Sequence, residues 1–450
     1  MSRQLPSRTK ILIVGAGPSG LASAVSLRKH GVSAEDIVVV DRVGPGDSNA
    51  SRAIVIHSAT LESLATIGCA DELDSLGIHM EGIQLRDRKA ASIFANSFSS
   101  LRPYTKYPYA LVVSQTYTEM VLLKALDALS LKVFRPYNVV SMKKSDGGNG
   151  LDVSFENGEV ITAQYVVGAD GTRSVIRQLS GIAFSDPKGL DEAASVDPRT
   201  AQIVLADLSF TENIDHIFST DPFSISFGFS SDGFFLTAPL GHPKVHSEIY
   251  GASDPVYRIA FPVPLHAGEA PSHPSLEVLQ KFVDRQAPVA ISSDPSQNPR
   301  PVRIKKVYWS TRFRTRSAIA DTFFKRIYGA SSKEQNGGIV MLVGDAAHIH
   351  SPAGGQGMNL AIRDAVGLGS VLAQQVRVPS DLDNSVILEE FARERHNRAL
   401  EQIEMTKRFM WLMANLMNPF SFSYWVIYFL GMIPFMKRKL VWQLSGLGNR

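Results

Sequence analysis

The chain has 450 residues, 44% of them apolar and 20% charged, with 46 basic against 43 acidic side chains and a net charge of +3. That length gives room for two or three domains with a sizeable core, and so small a charge excess argues against nucleic acid as a partner. The sole cysteine, Cys69, excludes an intrachain disulfide framework and any Cys-based metal cluster. No apolar leader lies between Met1 and Thr9, so the expectation is a cytoplasmic protein. The first element is an apolar, β-branched strand, Lys10 to Val14, which runs into Gly15-Ala-Gly17-Pro-Ser19-Gly20 and then a small-residue helix that stops near Gly31. In this G-x-G-x-x-G turn Gly15 permits the tight bend, Gly17 lets backbone approach a pyrophosphate, and Gly20 lets helix and strand pack closely. Free N–H groups at the helix start, with Ser19 among them, attract phosphate oxygens. A second apolar run, Ile37 to Val40, ends in Asp41, 21 residues after Gly20, where an acid that grips a ribose hydroxyl is expected.

Arg42 to Ser51 is polar and glycine-bearing, a loop, and Arg52-Ala-Ile-Val-Ile-His57 leads to a helix from Thr60 to about Ile67. Gln115 precedes a helix over Glu119 to Leu129, in which Met120, Leu123 and Leu126 fall at helical spacing. Three strand-like runs follow, Phe134 to Met142, Leu151 to Glu156 and Glu159 to Gly168, with glycine-rich turns at 147–150 and at Asn157-Gly158; a β-meander is the natural reading. The third run ends in Gly168-Ala-Asp170-Gly171, and Asp170 stands where it can cap the next helix. Phe184 to Arg199 reads as loop. From Gln202 to Pro264 strands dominate, with Phe234 and Tyr257 on two of them; Pro271 to Ala290 reads as a helix and Val302 to Arg316 as a strand.

The opening theme then returns. Gly338 to Val343 is a buried-strand pattern ending in Gly344-Asp345-Ala-Ala-His348, followed by the turn Ser351-Pro352-Ala-Gly-Gly355-Gln-Gly357-Met358-Asn359 and a helix over Leu360 to Val376. A helix starting near Met358 aims unpaired N–H groups at any negative charge placed before it. His348 and His350 have no third partner at ligand spacing, so no metal is expected. Strands interleaved with helices at both ends, around a strand-rich middle, imply an α/β domain completed by distant segments and carrying an insertion.

The three glycine–acid motifs, in this order, resemble the FAD-dependent aromatic hydroxylases typified by para-hydroxybenzoate, phenol and salicylate hydroxylases. The resemblance implies a Rossmann-like FAD-binding domain (1–75, 105–182 and 312–385), an inserted, mainly antiparallel substrate domain (76–104 and 183–311) and a C-terminal helical region (386–450). It places Asp41 on the adenosine ribose, Arg52 near the flavin, Gln115 at the phosphate–ribityl region and Asp345 on a ribityl or ribose hydroxyl. Asp170 is placed close to the cofactor. Gly355, Gly357, Met358 and Asn359 run along the pyrimidine edge of the ring, and Pro352 faces it. The resemblance further implies that FAD is held non-covalently and that NAD(P)H visits as a transient reductant, in keeping with the single G-x-G-x-x-G. It implies too that O2 adds at flavin C4a and that the terminal oxygen of the hydroperoxide passes to an aromatic, phenolic carbon. Phe234 and Tyr257 are the candidate substrate contacts; no catalytic base is named. The rival readings are an epoxidase or another FAD oxidoreductase of the same fold, and a flavin-free binding protein of the GDP-dissociation-inhibitor type.

The C-terminal stretch 409–436 has no charged residue and is flanked by Lys407-Arg408 and Lys437-Arg438-Lys439. Pro419, Pro434 and several Asn and Ser residues interrupt it, leaving runs short of the ~20 apolar residues that span a bilayer. Packing on the protein or in a homodimer, a peripheral membrane contact through 409–436 and a true membrane span stand as its alternatives.

Overall fold

The computed structural model describes residues 5–44, 52–89, 91–146, 150–189, 197–214, 226–230, 233–241, 243–327, 337–377, 385–416 and 422–449. Its first layer is an eight-stranded sheet whose spatial order is Phe324–Ile327, Gly338–Leu342, Val160–Gly168, Arg8–Val14, Ile37–Val40 and Val133–Phe134. Phe324–Ile327 runs antiparallel to its neighbour and the other pairings on this path are parallel. The meander strands Leu151–Phe155 and Val139–Lys144 hang antiparallel from Val160–Gly168. The glycine turn at 147–149 lies outside the described residues. The central parallel strands are buried along nearly their whole length, as a sheet covered on both faces requires.

Register matters more than strand count. Val14 pairs with both Val40 and Gly168, and Gly168 pairs with Leu342, so the parallel strands finish level at one edge of the sheet. The helices that leave this edge, Pro18–Lys29 and Gln356–Val376, pack on each other. A Cβ at Gly369 would lie 2.4 Å from Ser26 Cβ, so only glycine lets the two axes approach this closely. Ser26 Oγ then donates to Val366 O at 2.7 Å.

The second sheet has seven strands in the order Ile304–Arg314, Gln202–Phe210, Tyr257–Val263, Gly233–Pro239, Ser226–Ser230, Gly82–Asp87 and Ser92–Ser97. It is antiparallel except where Ser226–Ser230 meets Gly82–Asp87. Its outer face is closed by helix Leu276–Gln286 through Leu279 and Val283, packed with Phe235, Tyr257, Ile259 and Phe261. Its inner face turns toward the first sheet. Helix Leu276–Gln286 is shorter than the Pro271 to Ala290 run suggests, because Pro274 and Pro288 bracket it and cannot extend an α-helix. The C-terminal region is helical: Val386–Leu416, Phe422–Leu430 and Pro434–Ser445.

Candidate active site

The level strand ends are stitched together by backbone. Gly15 N–H donates to Val40 O at 2.8 Å, Ala169 N–H to Val14 O at 2.8 Å and Val343 N–H to Gly168 O at 3.0 Å. Gly15 has φ +105°, and a Cβ there would lie 2.2 Å from Ala169 O; a Cβ on Gly20 would lie 1.8 Å from Gly15 O. Both glycines are therefore needed by the fold. Gly17 differs. Its ideal Cβ meets nothing within 4 Å, so its backbone stands bare on the cavity wall. Asp41 lies beside this turn rather than on the cavity. One carboxylate oxygen accepts from Ala16 N–H at 2.6 Å and the other from Val43 N–H at 2.7 Å, so the side chain braces the turn.

Asp170 and Asp345 both line the cavity, together with Ser19. Asp170 Oδ2 accepts from Val175 N–H at 2.7 Å and Ile176 N–H at 3.2 Å, the capping role its position suggests. Its other oxygen is buried and has no partner among the described residues. Burial raises its pKa above the ordinary carboxylate value, against the amide hydrogen bonds that lower it. Asp345 accepts the Thr172 hydroxyl at 3.1 Å.

Arg52, Gln115 and Pro352 line the same space. Gln115 Oε1 accepts from the amides of Arg52 and Ala53, each at 3.3 Å, and so shapes the backbone that presents the arginine. At the second glycine turn, Gly354 and Gly355 have φ +73° and +63°, a left-handed pair that turns the chain into helix Gln356–Val376. Gly355, Gly357 and Met358 line the cavity. Asn359 does not: its amide donates to Val55 O and Gly355 O, both at 2.7 Å, and its Oδ1 accepts from His57 N–H at 2.8 Å. Its expected place on a ligand is thus corrected to a clamp joining strand, turn and helix.

His57 and His350 also line the cavity, and sequence reasoning assigned neither to it. Burial lowers each imidazole to about 4, so both are neutral. His57 Nε2 lies 2.7 Å from Gly354 O, and His350 Nδ1 lies 2.9 Å from Ser351 O. The remaining ring nitrogen of each, Nδ1 of His57 and Nε2 of His350, has no partner among the described residues. His348 is instead spent on Asp364, Nε2 to Oδ2 at 2.9 Å. Among the described residues no His, Cys, Asp and Glu cluster suits a metal.

The cavity is one continuous volume of about 1220 Å³ running from the first glycine turn to the inner face of the second sheet. Strand alternation decides which side chains reach it. Phe234, Leu236, Arg258 and Ala260 face in, whereas Tyr257 and Phe235 face the outer core. Tyr257 is therefore corrected from a substrate contact to a core residue, its hydroxyl 3.3 Å from Asn213 Oδ1. Arg258 is the partner that sequence reasoning missed. Its guanidinium is buried against Asp207, with Nη2 2.9 Å from Oδ2, and Nη1 donates to Arg52 O at 2.8 Å. Nothing in a strand pattern distinguishes such an arginine from an exposed one. The far wall is apolar and comes partly from the C-terminal helices, through Phe409, Met410 and Met413.

The sequence profile of the FAD binding domain matches residues 8–227 and 324–406, which include the two glycine turns and all three acid-tipped strand ends. The chain belongs to the FAD-binding domain family. It is 28% identical over 417 residues to the rifampicin monooxygenase of Streptomyces venezuelae, covering 91% of this chain and 72% of that one. To the pentachlorophenol 4-monooxygenase of Sphingobium chlorophenolicum it is 26% identical, covering 88% of this chain and 63% of the relative. Among solved structures, the anhydrotetracycline hydroxylase of Streptomyces rimosus superposes with a TM-score of 0.69 at 25% identity, over 98% of this chain and 77% of that one. FAD is the cofactor, and FAD-dependent monooxygenase the enzyme class.

The residues present fit FAD. The uncovered backbone at Gly17, Gly171 and Gly357, where an added Cβ would meet nothing within 4 Å, leaves room for a ligand to lie against the chain. Three buried polar atoms on the cavity, from Asp170, His57 and His350, lack partners among the described residues, and a buried polar group without a partner costs stability. The start of helix Gln356–Val376 would offer its N–H groups to an anionic group placed before it.

Proposed function

We propose that this chain uses NAD(P)H and O2 to hydroxylate an aromatic, phenolic small molecule held against the inner face of the second sheet. The observation that carries the reading is the undivided cavity, polar at the glycine turns and apolar at Phe234, Leu236 and Met413. FAD supplies the redox chemistry, taking reducing equivalents from NAD(P)H and activating O2. The chain's own part is to bind, orient and exclude water. Gly17 and the amides of helix Pro18–Lys29 take the pyrophosphate, with Asp41 holding that turn in shape. Asp345 takes a ribityl or ribose hydroxyl, Gln115 and Arg258 fix the backbone behind Arg52, and Pro352 to Met358 form the seat for the ring. The apolar wall keeps water from the reacting atoms. Relatives named as monooxygenases of rifampicin, pentachlorophenol and anhydrotetracycline support an aromatic substrate. The segments that form the first sheet act as the cofactor domain and the inserted sheet as the substrate domain.

The test is reconstitution with FAD followed by NAD(P)H oxidation across a panel of phenols and larger fused-ring phenols under 18O2. Substrate-stimulated oxidation with one labelled oxygen in the product is expected. Oxidation that no aromatic compound stimulates, with all electrons recovered as hydrogen peroxide, would overturn the reading.

A further inference from the structure

The last 46 residues, 405–450, contain no Asp or Glu and six Lys or Arg. Two of these cations are neutralised on the protein: Lys407 Nζ lies 2.7 Å from Asp186, and Arg408 lies 3.2 Å from Glu404. Lys437 Nζ lies 5.6 Å from the centre of the Phe94 ring. Arg438 and Lys439 are exposed and form no ion pair with a described residue. Beside them stands an apolar surface that the fold leaves uncovered: Phe422 is 85% exposed, Phe435 71%, Phe429 60% and Met432 53%, with Trp425 at 49%. Single exposed apolar residues are ordinary, but so many on two consecutive short helices and the turn between them mark an interaction surface.

We propose that helices Phe422–Leu430 and Pro434–Ser445 seat the enzyme on an anionic lipid bilayer surface. Aromatic side chains, Trp above all, favour the headgroup level, and basic side chains next to them are drawn to anionic headgroups. A second copy of the chain fits less well, because a twofold interface sets the same patch against itself and would bring Arg438 and Lys439 toward their own copies with no acid to receive them. The helices have nine and twelve residues, and no helix among the described residues is long and apolar enough to cross a membrane, so the contact lies on the surface.

The inner side of the same helices belongs to the cavity. Tyr428 from the first and Leu440 and Leu444 from the second line it, beside Phe409 and Met413. The docked face and the apolar end of the cavity are therefore two sides of one helical layer, which gives a bilayer-dissolved aromatic substrate a short path to the second sheet. This delivery step rests on the hydroxylase reading above, whereas the docking does not.

The test is sedimentation of the FAD-loaded protein with vesicles of phosphatidylcholine alone and of equal parts phosphatidylcholine and phosphatidylserine. Binding to the anionic vesicles, weakened by salt, is expected. Arg438→Gln/Lys439→Gln should lower the partition coefficient at least tenfold, since each cation near the surface is worth roughly fivefold, and Trp425→Ser/Phe429→Ser should lower it as much. FAD content is expected to stay unchanged in both. The charge variant, which disturbs no packed side chain, carries the test if the aromatic one fails to fold. No binding to anionic vesicles, binding that neither variant weakens, or a dimer in solution that Trp425→Ser/Phe429→Ser dissociates would each overturn the proposal. Vesicle binding with no hydroxylation of any phenol would leave docking standing and remove only the delivery step.

Discussion

Replacing each of two glycines in one turn separates what the fold needs from what the ligand needs. Gly17 has φ −78° and ψ −173°, extended backbone open to any residue, and an added methyl meets nothing within 4 Å. Gly17→Ala should therefore leave the apoprotein as stable as wild type, within about 0.5 kcal/mol. The methyl instead occupies the space where a pyrophosphate would lie. Holding the phosphate off by that distance forfeits one or two charge-assisted hydrogen bonds of ~1.5–3 kcal/mol each. A total of about 3 kcal/mol raises the Kd for FAD roughly 100-fold. Gly20→Ala should do the reverse: its methyl would lie 1.8 Å from Gly15 O, a backbone atom that cannot step aside. Helix Pro18–Lys29 must then lift from the sheet, at a cost of ~3 kcal/mol or more. Thermal unfolding of the two apoproteins, with FAD titration followed by flavin fluorescence, reads both effects. Wild-type FAD affinity in Gly17→Ala would refute the placement of the cofactor on this turn. Equal destabilisation by the two substitutions would refute the division between them.

The other predictions concern charge. Asp345→Ala, which among the described residues costs only the Thr172 hydroxyl contact, should weaken FAD binding about tenfold with apoprotein stability unchanged; full flavin retention would remove the residue from the site. His57 and His350 are held at about 4 against an ordinary 6.5, so stability is present in full above the ordinary value and is lost as pH falls toward 4. Between pH 7 and 5.5 each should withdraw roughly 1.2 kcal/mol. Calorimetry in buffers of different ionisation enthalpy should find about two fewer protons taken up on unfolding at pH 5.5 in His57→Gln/His350→Gln, and equal uptake would refute the assignment. Arg258→Met strands Asp207 in the interior and should cost ~3–5 kcal/mol in denaturant unfolding. Asp207→Leu/Arg258→Met should recover most of it, and a double variant no better than the single would show that the pair is not the unit.

The cofactor half of the site is legible in the residues because backbone geometry writes it. A pyrophosphate-binding turn needs glycine at fixed spacing, and strand ends that meet a ligand carry acids after apolar runs, so Gly17, Asp170 and Asp345 all reach the cavity. Side chains on the second sheet are a different matter. Phe234 and Tyr257 look alike in sequence, and only strand register, set by partners far along the chain, puts one inside and one outside. Asn359 sits in a motif that suggests a ligand, yet its amide is consumed by backbone from residues 55 and 57. Arg258 is invisible for the same reason, since its burial depends on Asp207 across the sheet. Ser92–Ser97 lacks alternation, and the alternating part of Gly82–Asp87, Ile83 to Arg86, is only four residues long, so neither strand stands out before the sheet they extend is known.

The clamp at Asn359 bears on when the protein becomes able to hold its prosthetic group. The His57 amide and the Asn359 side chain that receives it are 302 positions apart. A chain emerging from the ribosome can build its first β–α–β turn early, but the seat proposed for the ring waits until most of the polypeptide has been made. Flavin uptake is thereby a closing event of biogenesis, and a prematurely terminated product ending before Asn359 would be colourless however well its opening strands had formed.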